Sequence, residues 1–284
     1  MNDDYELLDS GDGRKLERFG KYVLARPCSQ AMWRPARSEA EWTRADASFD
    51  REDGNHWHGR SNLPKEWQIE TAGLRFKLGG TDFGHLGIFP EQRAQWRWIR
   101  QQVNRTIEQS NNQAIPRVLN LFAYSGGSTM AAALGGAEVC HLDASKGMVE
   151  WAKENARLNG LAERPIRWIV DDAHKFMKRE LRRERKYDAI ILDPPSFGRG
   201  AGGEMYKIER DLKETLGLVK DLLSDTPAFV LFSSHTPGLS VQVAENILGQ
   251  LFPKAKLESG EMLLEGPRFP CPSGIYCRAV FGGL

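Results

Sequence analysis

Short apolar runs alternate with longer amphipathic stretches from about residue 115 to residue 251. The apolar runs have the length of strands and the amphipathic stretches the length of helices, a pattern typical of βα units with parallel strands. The predicted strands cover 117–122, 138–142, 166–170, 189–192 and 228–232, and the predicted helices cover 128–134, 146–159, 173–183, 207–223 and 241–251. This alternation predicts an α/β fold built on a mainly parallel sheet.

Two further β-like runs, at 255–264 and 274–281, follow the last predicted helix. We expect them to form an antiparallel hairpin that completes a seven-stranded, mostly parallel, Rossmann-like sheet. The turn after the first predicted strand has neither G-x-G-x-x-G nor G-x-x-x-x-G-K-S/T. This turn is therefore not expected to grip a phosphate group.

The amino-terminal third has a different pattern. Short β-like runs at 6–8, 22–25 and 67–78 are separated by GDG, GG and proline turns, and a helix is predicted over 90–108. The segment NNQAIP at 111–116 has the composition of a linker. We therefore expect a small β-rich region at 1–88, a connecting helix and linker at 89–115, and the α/β domain at 116–284.

Composition narrows the classes of partner. Lys and Arg total 39 against 38 Asp and Glu, so the net charge of +1 provides no global attraction to a polyanion or a membrane. The cysteines are scattered and form no CxxC pair, which fits a reducing compartment, and no metal ligand set is expected around His56 and His58. The amino terminus is acidic and no apolar run approaches the roughly 20 residues that span a bilayer. We expect a cytoplasmic protein without a membrane partner, and the sequence carries no indication of an oligomeric state.

A turn with two glycines follows strand 117–122 and leads into an alanine-rich helix. Gly126 and Gly127 lack a Cβ, which lets the backbone approach a ligand closely. The candidate ligand-binding residues of this turn are Phe122, Ala123, Tyr124, Ser125, Gly126 and Gly127. A tight βα turn with no ligand is the alternative.

Acidic residues end the second and third predicted strands. Asp143, followed by Ala144, can accept hydrogen bonds from both hydroxyls of a ribose, or it can cap the following helix. After the third strand, we favour Asp172 as the acceptor for an adenine amino group, with Ala173 beside the ring. Asp171 would then cap the next helix, although the reverse assignment is also open.

The motif DPPSF ends the fourth predicted strand, with Asp193, Pro194, Pro195 and Phe197. Proline fixes φ and has no N–H donor, so the motif forms a rigid platform. A planar substrate with an amino group can donate to the Asp193 side chain and the Pro194 carbonyl while Phe197 stacks on its ring. We expect these four residues at an acceptor site, with Asp193 also beside the nucleoside, and an ordinary βα turn is the alternative.

A resemblance to bacterial class I methyltransferases, related to the 23S ribosomal RNA large-subunit methyltransferases, is carried by LNLFAYSGGSTMAAALGGAEVCHLDASKGMVEWAKENARLNGL, VDDAHKF and ILDPPSFGRG. It extends to LLDSGDGRKLERFG, LGIFPEQRAQWRWI, SSHTPGLS and GIYCRAVF. The resemblance implies the class I fold, S-adenosylmethionine as cofactor, and RNA, foremost ribosomal RNA, as substrate. It also implies that the FPEQR segment lies against the cofactor, with Phe89 and Gln92 as candidates.

One departure of this sequence from the family pattern bears on which atom accepts the methyl group. Relatives that methylate cytosine C5 use a cysteine nucleophile, commonly in the loop after the fifth strand, because carbon must first be activated by addition. This sequence has Ser233, Ser234 and His235 there, and no cysteine between Cys140 and Cys271. We expect transfer to a base nitrogen or exocyclic amine. Cytosine C5, a small molecule or a protein is the alternative acceptor, while an oxidoreductase and a non-catalytic RNA-binding module are disfavoured by the motifs.

Two clusters bear on the substrate. HKFMKRELRRERK, at 174–186, holds seven cations and two glutamates. It either contacts RNA phosphates or forms a solvated helix face on which Glu180 and Glu184 form ion pairs. Six of the eight tryptophans fall within the first 98 residues, where they stack on bases or, more commonly, fill a core.

Overall fold

A computed structural model describes residues 3–51, 54–110, 114–200, 203 and 205–282. The chain divides into two compact units. The first comprises Met1–Arg93 with Met262–Ser273, and the second comprises Ala94–Glu261 with Gly274–Leu284. Part of the predicted linker, at 111–113, lies outside the described residues, and the domain division after residues 88 and 115 stays a prediction.

The first unit is rich in β-structure. Its elements are β1 (Tyr5–Gly11), β2 (Arg14–Phe19), β3 (Tyr22–Pro27), α1 (Glu39–Trp42), β4 (Ala47–Asp50), β5 (His56–His58), β6 (Trp67–Thr71) and β7 (Leu74–Leu78). Among the residues described, β1 to β5 form a sheet in sequence order and β6 pairs with β7. Leu16, Ala25 and Trp42 form a buried cluster in this unit. The expected small β-rich region is therefore present.

A fully buried carboxylate lies within the first unit. Glu17 on β2 accepts hydrogen bonds from the Tyr5 hydroxyl at 2.9 Å and from Arg26 Nε at 2.8 Å. Burial alone would lower the pKa of Arg26, but the attraction of the Glu17 carboxylate raises the pKa of the guanidinium above its ordinary value. The buried charges thus compensate each other, which is the condition for their stability in an interior.

Two thiols that are far apart in the sequence meet in the first unit. The Sγ atoms of Cys28 and Cys271 lie 3.0 Å apart, and both cysteines are free thiols. The cysteines are scattered along the sequence, but the fold brings these two together.

The remaining elements lie wholly or mostly in the second unit. They are α2 (Arg93–Gln109), β8 (Arg117–Leu121), α3 (Gly127–Leu134), β9 (Glu138–Asp143), α4 (Lys146–Leu158), β10 (Ile166–Val170), α5 (Ala173–Arg182), β11 (Ala189–Leu192), β12 (Phe197–Arg199), β13 (Met205–Lys207), α6 (Ile208–Leu222), β14 (Phe229–Ser234), α7 (Val241–Leu251), β15 (Lys256–Leu264) and β16 (Cys271–Val280). Within the described ranges, seven strands form one sheet in the order β10-β9-β8-β11-β14-β16-β15. The strands from β10 to β14 pair in parallel, and β16 is antiparallel to β14. The predicted Rossmann-like sheet with a terminal hairpin is confirmed.

The register of this sheet decides where the loops meet. Leu121 of β8 pairs with Leu142 of β9 and with Leu192 of β11, and Leu192 pairs with Phe232 of β14. The loops that follow these strands therefore begin at the same level, along what we call the carboxyl edge. The first residues of the same parallel strands form the opposite side, the amino edge.

Several elements were not predicted. They are α1, β2, β4, β5 and the two short strands β12 and β13, each of three to six residues. The helix predicted over 90–108 begins with a 3-10 turn at Pro90–Gln92 and continues as α2. In the part of the chain that the structure describes, no helix has both the length and the apolar character that a bilayer crossing demands.

Candidate functional site

The turn after β8 has a constrained backbone. Phe122 and Tyr124 adopt left-handed φ values of 56° and 49°, which non-glycine residues rarely take and which cluster at functional sites. Gly126, with φ of 91°, is the N-cap of α3. Its N–H donates to the Ala123 carbonyl at 3.0 Å, and the Ala123 N–H donates to the Leu142 carbonyl at 3.0 Å. These bonds fix the turn against β9.

Both glycines of the turn face close neighbours. A Cβ on Gly126 would lie 3.0 Å from Cβ of Ala152 on α4, and a Cβ on Gly127 would lie 2.6 Å from the Trp96 ring on α2. Contacts this short require the neighbour to move. Packing therefore accounts for a glycine at both positions, and their approach to a ligand stays a prediction.

Hydrogen bonds among buried polar side chains anchor this turn to the neighbouring elements. Asn120 Nδ2 donates to Thr129 Oγ1 at 2.9 Å, and Thr129 Oγ1 lies 2.9 Å from Nδ1 of His141. Burial lowers the pKa of His141 to about 3, so its ring is neutral. Asn155 Nδ2, also buried, donates to the Ser125 carbonyl at 2.9 Å. The turn is thus anchored to β8, α3, β9 and α4.

Asp143 ends β9 beside the same turn. Its Oδ2 accepts from the Tyr124 N–H at 2.9 Å and its Oδ1 from the Ser145 N–H at 2.8 Å. Burial raises the pKa of Asp143, and these two hydrogen bonds oppose that rise. The N-cap of α4 is Ser145, which accepts from the Met148 N–H at 3.3 Å, so the alternative that Asp143 caps this helix is wrong. An ionised carboxylate has about four acceptor positions, so Asp143 has capacity for further donors.

Two adjacent aspartates follow β10. Asp172 is the N-cap of α5, and its Oδ1 accepts from the Lys175 N–H at 2.9 Å. Asp171 forms an ion pair with Arg179. The sequence analysis favoured Asp171 as the helix cap, and this is wrong, because the cap is Asp172. Oδ2 of Asp172 forms no hydrogen bond with any described residue, and the buried Ala173 begins the helix next to it.

The DPPSF motif connects β11 to β12 at the carboxyl edge. Pro194 is buried, Pro195 is exposed, and the Phe197 side chain is 53% exposed. Asp193 Oδ1 lies 3.5 Å from Nδ1 of His235, the residue that follows β14. The structure thus places His235 at the site. Sequence analysis missed it as a site residue because a single loop histidine carries no motif.

Sequence analysis also missed a hairpin, which lies between the DPPSF motif and α6. Strands β12 and β13 pair antiparallel, with Gly198 opposite Tyr206. The Tyr206 ring lies 5.2 Å from the Phe122 ring, centroid to centroid, and its hydroxyl lies 3.3 Å from Thr215 Oγ1. Burial raises the pKa of Tyr206 to about 12. Tyr206 therefore links the strand that begins at the end of the DPPSF motif to the turn at 122–127.

The structure brings most of the predicted site residues to one edge. The turn at 122–127, Asp143 with Ala144, Asp172 with Ala173, and the DPPSF motif all follow parallel strands at the carboxyl edge. Phe89 and Gln92 belong to the first unit, where Gln92 is buried and the Phe89 ring lies 5.4 Å from His85. Their contact with a cofactor stays a prediction.

Comparison with known proteins gives the family. The family model for S-adenosylmethionine-dependent methyltransferase matches residues 35–235. A crystal structure of a SAM-dependent methyltransferase from Agrobacterium tumefaciens is 35% identical, with a TM-score of 0.91, and the match covers 98% of this chain and 91% of that one. A protein described as a methyltransferase and solved with S-adenosylhomocysteine (SAH) shares the fold at 21% identity and a TM-score of 0.72, over 98% of this chain and 76% of that one.

Curated relatives match a shorter part. Ribosomal RNA large subunit methyltransferase K/L of Shewanella frigidimarina is 36% identical over 165 residues, which are 55% of this chain and 20% of that protein. The protein of the same name from Shewanella sp. strain ANA-3 is 32% identical over 197 residues, 66% of this chain and 25% of its own length. The chain thus spans about a fifth to a quarter of these relatives. The family model and the Agrobacterium structure each cover most of the chain, and this chain belongs to the S-adenosylmethionine-dependent methyltransferase family.

Proposed function

We propose that this enzyme transfers the methyl group of S-adenosylmethionine to RNA, foremost ribosomal RNA, at a base nitrogen or exocyclic amine. The observation that carries the proposal is the exposed ring of Phe197, which follows Asp193 and Pro194 at the edge that also holds Asp143. Curated relatives named as ribosomal RNA methyltransferases support an RNA acceptor. A ribosomal RNA acceptor also favours the cytoplasm as the place of the reaction.

The cofactor is held by the loops after three strands in this proposal. The backbone at 122–127 lies against it, Asp143 and Ala144 contact the ribose, and Asp172 Oδ2 accepts from the adenine amino group beside Ala173. Asp143 fits the role because its half-buried carboxylate has acceptor capacity beyond its two backbone donors. Phe89 and Gln92 complete the set, and the bound sulfonium supplies an activated methyl group.

The acceptor base is held by the DPPSF motif. It stacks on Phe197 and donates its amino protons to Asp193 and to the Pro194 carbonyl, while Pro195 keeps the loop rigid. His235, whose Nδ1 lies 3.5 Å from Asp193 Oδ1, positions this carboxylate. The protein's contribution is alignment and exclusion of water, which suffices for a nitrogen with a lone pair.

The positions of the cysteines favour nitrogen over cytosine C5. A covalent nucleophile must be accessible and ionised. Burial raises the pKa of Cys140, in the middle of β9, and of Cys277, which pairs with Phe232, each to about 11. Neither of these two thiols therefore supplies an accessible, ionised nucleophile in the second unit.

The test is transfer of a labelled methyl group to ribosomal RNA from cells that lack this protein, followed by mass mapping of the product. We expect label on a base nitrogen or exocyclic amine. Phe197→Ala should reduce kcat about tenfold or more, because base stacking contributes ~1–3 kcal/mol per base. The Kd for SAH should stay unchanged in this variant. Phe83→Ala, which removes another exposed aromatic ring, is the control and should transfer at the wild-type rate.

Three outcomes would contradict the proposal. Label at cytosine C5 would exclude the nitrogen acceptor. Full activity of Phe197→Ala would exclude the platform. Labelling of a protein or small molecule, with RNA unlabelled, would exclude the substrate class.

A further inference from the structure

A cavity lies at the amino edge of the seven-stranded sheet, away from the predicted site. Its volume is about 490 Å³. It is bounded by Arg117 at the start of β8, Glu138 at the start of β9, Ile166 at the start of β10, and the segment before β11. Cavities of this size hold small organic ligands.

Cations dominate the lining. They are Arg117, Arg164, Arg167, Arg185 and Lys186. Among the described residues, Glu138 is the one carboxylate that lines the cavity, and the side chains of Arg117 and Arg164 are exposed and form no ion pair. Like charges held together repel one another, and an anion between them removes that repulsion.

A buried carboxylate holds two of these arginines in place. Glu180 of α5 is fully buried and accepts hydrogen bonds from Arg167 at 3.0 Å and from the Tyr187 hydroxyl at 2.6 Å. Arg185 Nη1 lies 3.8 Å from Oε2 of Glu180. Burial would raise the pKa of Glu180, but the hydrogen bonds from Arg167 and Tyr187 keep it below its ordinary value. The alternative of a solvated helix face is wrong for Glu180, because this side chain is buried, but Glu180 does form the expected helix-turn ion pair, with Arg183 at 3.3 Å. Asp188 lies nearby and accepts from the Arg117 backbone N–H at 2.8 Å.

The remaining lining is partly apolar. Val139, Pro165 and Ile166 face the cavity together with the cations. An inorganic ion alone would leave most of the volume empty and this apolar surface uncovered. A ligand with one anionic end and a larger, less polar body matches both parts of the lining.

We propose that this cavity binds the phosphate group of a nucleotide, with the arginines on the phosphate and the apolar surface against the nucleoside. The nucleotide is either a free molecule or one unit of an RNA strand, since both present the same chemistry. Arginine suits this role because its planar fork donates two hydrogen bonds to one phosphate. The inference does not rest on the proposed acceptor.

The test is isothermal titration calorimetry on the whole chain in saturating SAH, so that an adenosine-binding site is already filled. The probes are uridine 5′-monophosphate, uridine and a five-residue oligouridylate. We expect saturable binding of the monophosphate or the oligonucleotide, and a Kd about tenfold higher in Arg164→Gln, which corresponds to ~1.4 kcal/mol. Arg164→Lys should recover part of the affinity. Lys254→Gln, which removes an exposed cation outside the cavity, should bind as the wild type does.

The probes separate the two sources of the nucleotide. Binding of the monophosphate indicates a free nucleotide, and binding of the oligonucleotide alone indicates an RNA strand. The proposal is overturned if uridine binds as tightly as its monophosphate, if neither phosphate probe binds, or if Arg164→Gln and Lys254→Gln have equal effects. Circular dichroism of the Arg164 variants, whose altered side chain is exposed, verifies that they fold.

Discussion

The carboxylate of Asp143 is a half-buried acceptor whose two oxygens each accept a hydrogen bond from a backbone N–H, one from Tyr124 and one from Ser145. Burial raises the pKa of this group. A ribose hydroxyl is bound best by the ionised form, which accepts hydrogen bonds with all its lone pairs. Cofactor affinity is therefore expected to depend on this one side chain and on its state of protonation.

Replacing Asp143 with Asn should raise the Kd for SAH about tenfold to a hundredfold, because a hydrogen bond to a charged group contributes ~1.5–3 kcal/mol. Calorimetry at neutral pH measures the change, with Asp225→Asn at an exposed position as the control. Affinity of the wild type should weaken on acidification at a higher pH than for an ordinary aspartate, because a raised pKa means earlier protonation. The Asn variant should lack this pH dependence, and wild-type affinity in that variant would refute the ribose contact.

At the scale of elements, the contact between α2 and α3 depends on the absence of one side chain. A Cβ on Gly127 would lie 2.6 Å from the buried Trp96 ring. We expect Gly127→Ala to lower the free energy of unfolding by about 1–3 kcal/mol, the usual cost of overpacking. Urea denaturation of the wild type and the variant measures this change in the free energy of unfolding.

Gly217 in α6 provides the matched control. Its Cβ would meet nothing within 4 Å, and alanine is the better helix former, so Gly217→Ala should stabilise the protein by about 0.5–1 kcal/mol. If Gly127→Ala were as stable as Gly217→Ala, the packing of Trp96 against α3 would be misinterpreted.

The sequence pattern predicts several elements of the second unit with the bounds that the structure has. Strands such as β10 and helices such as α7 have the predicted bounds because each repeats its pattern over several residues. The strands β12 and β13 have three residues each, too few for a period. Tyr206 of β13 packs against Phe122, a contact between distant residues that no local pattern shows.

The residues of the candidate site also differ in whether the sequence predicts their positions. Asp143 and Asp193 were predicted to share an edge because parallel strands end together, and the register of β8, β9 and β11 bears this out. The choice of Asp172 over Asp171 as helix cap depends on backbone angles that two adjacent aspartates do not reveal. His235 reaches Asp193 only because β11 and β14 are neighbours in the sheet.

At the scale of the whole molecule, the two compact units should unfold as separate transitions in scanning calorimetry. Glu17→Ala leaves the buried Arg26 uncompensated, so it should destabilise the first unit by about 3–5 kcal/mol. Gly127→Ala should lower the other transition, because Gly127 belongs to the second unit. Were both variants to lower a single common transition, the units would not be independent.

The exposed pair of Glu6 and Arg18 supplies the control for Glu17. Glu6→Ala removes a carboxylate from the same unit, but an exposed ion pair contributes at most about 1 kcal/mol. Its transition temperature should therefore stay close to that of the wild type.

The common register of the strand ends has a consequence for protein engineering. The strands β8, β9, β11 and β14 fix the spacing of the loops, while the loops themselves carry the groups proposed to contact ligands. On the proposed function, altering the exposed residues at 195–197, and those just after β14, would change which acceptor fits while leaving the buried side chains of the sheet in place. Libraries aimed at new methyl acceptors are best confined to those two segments.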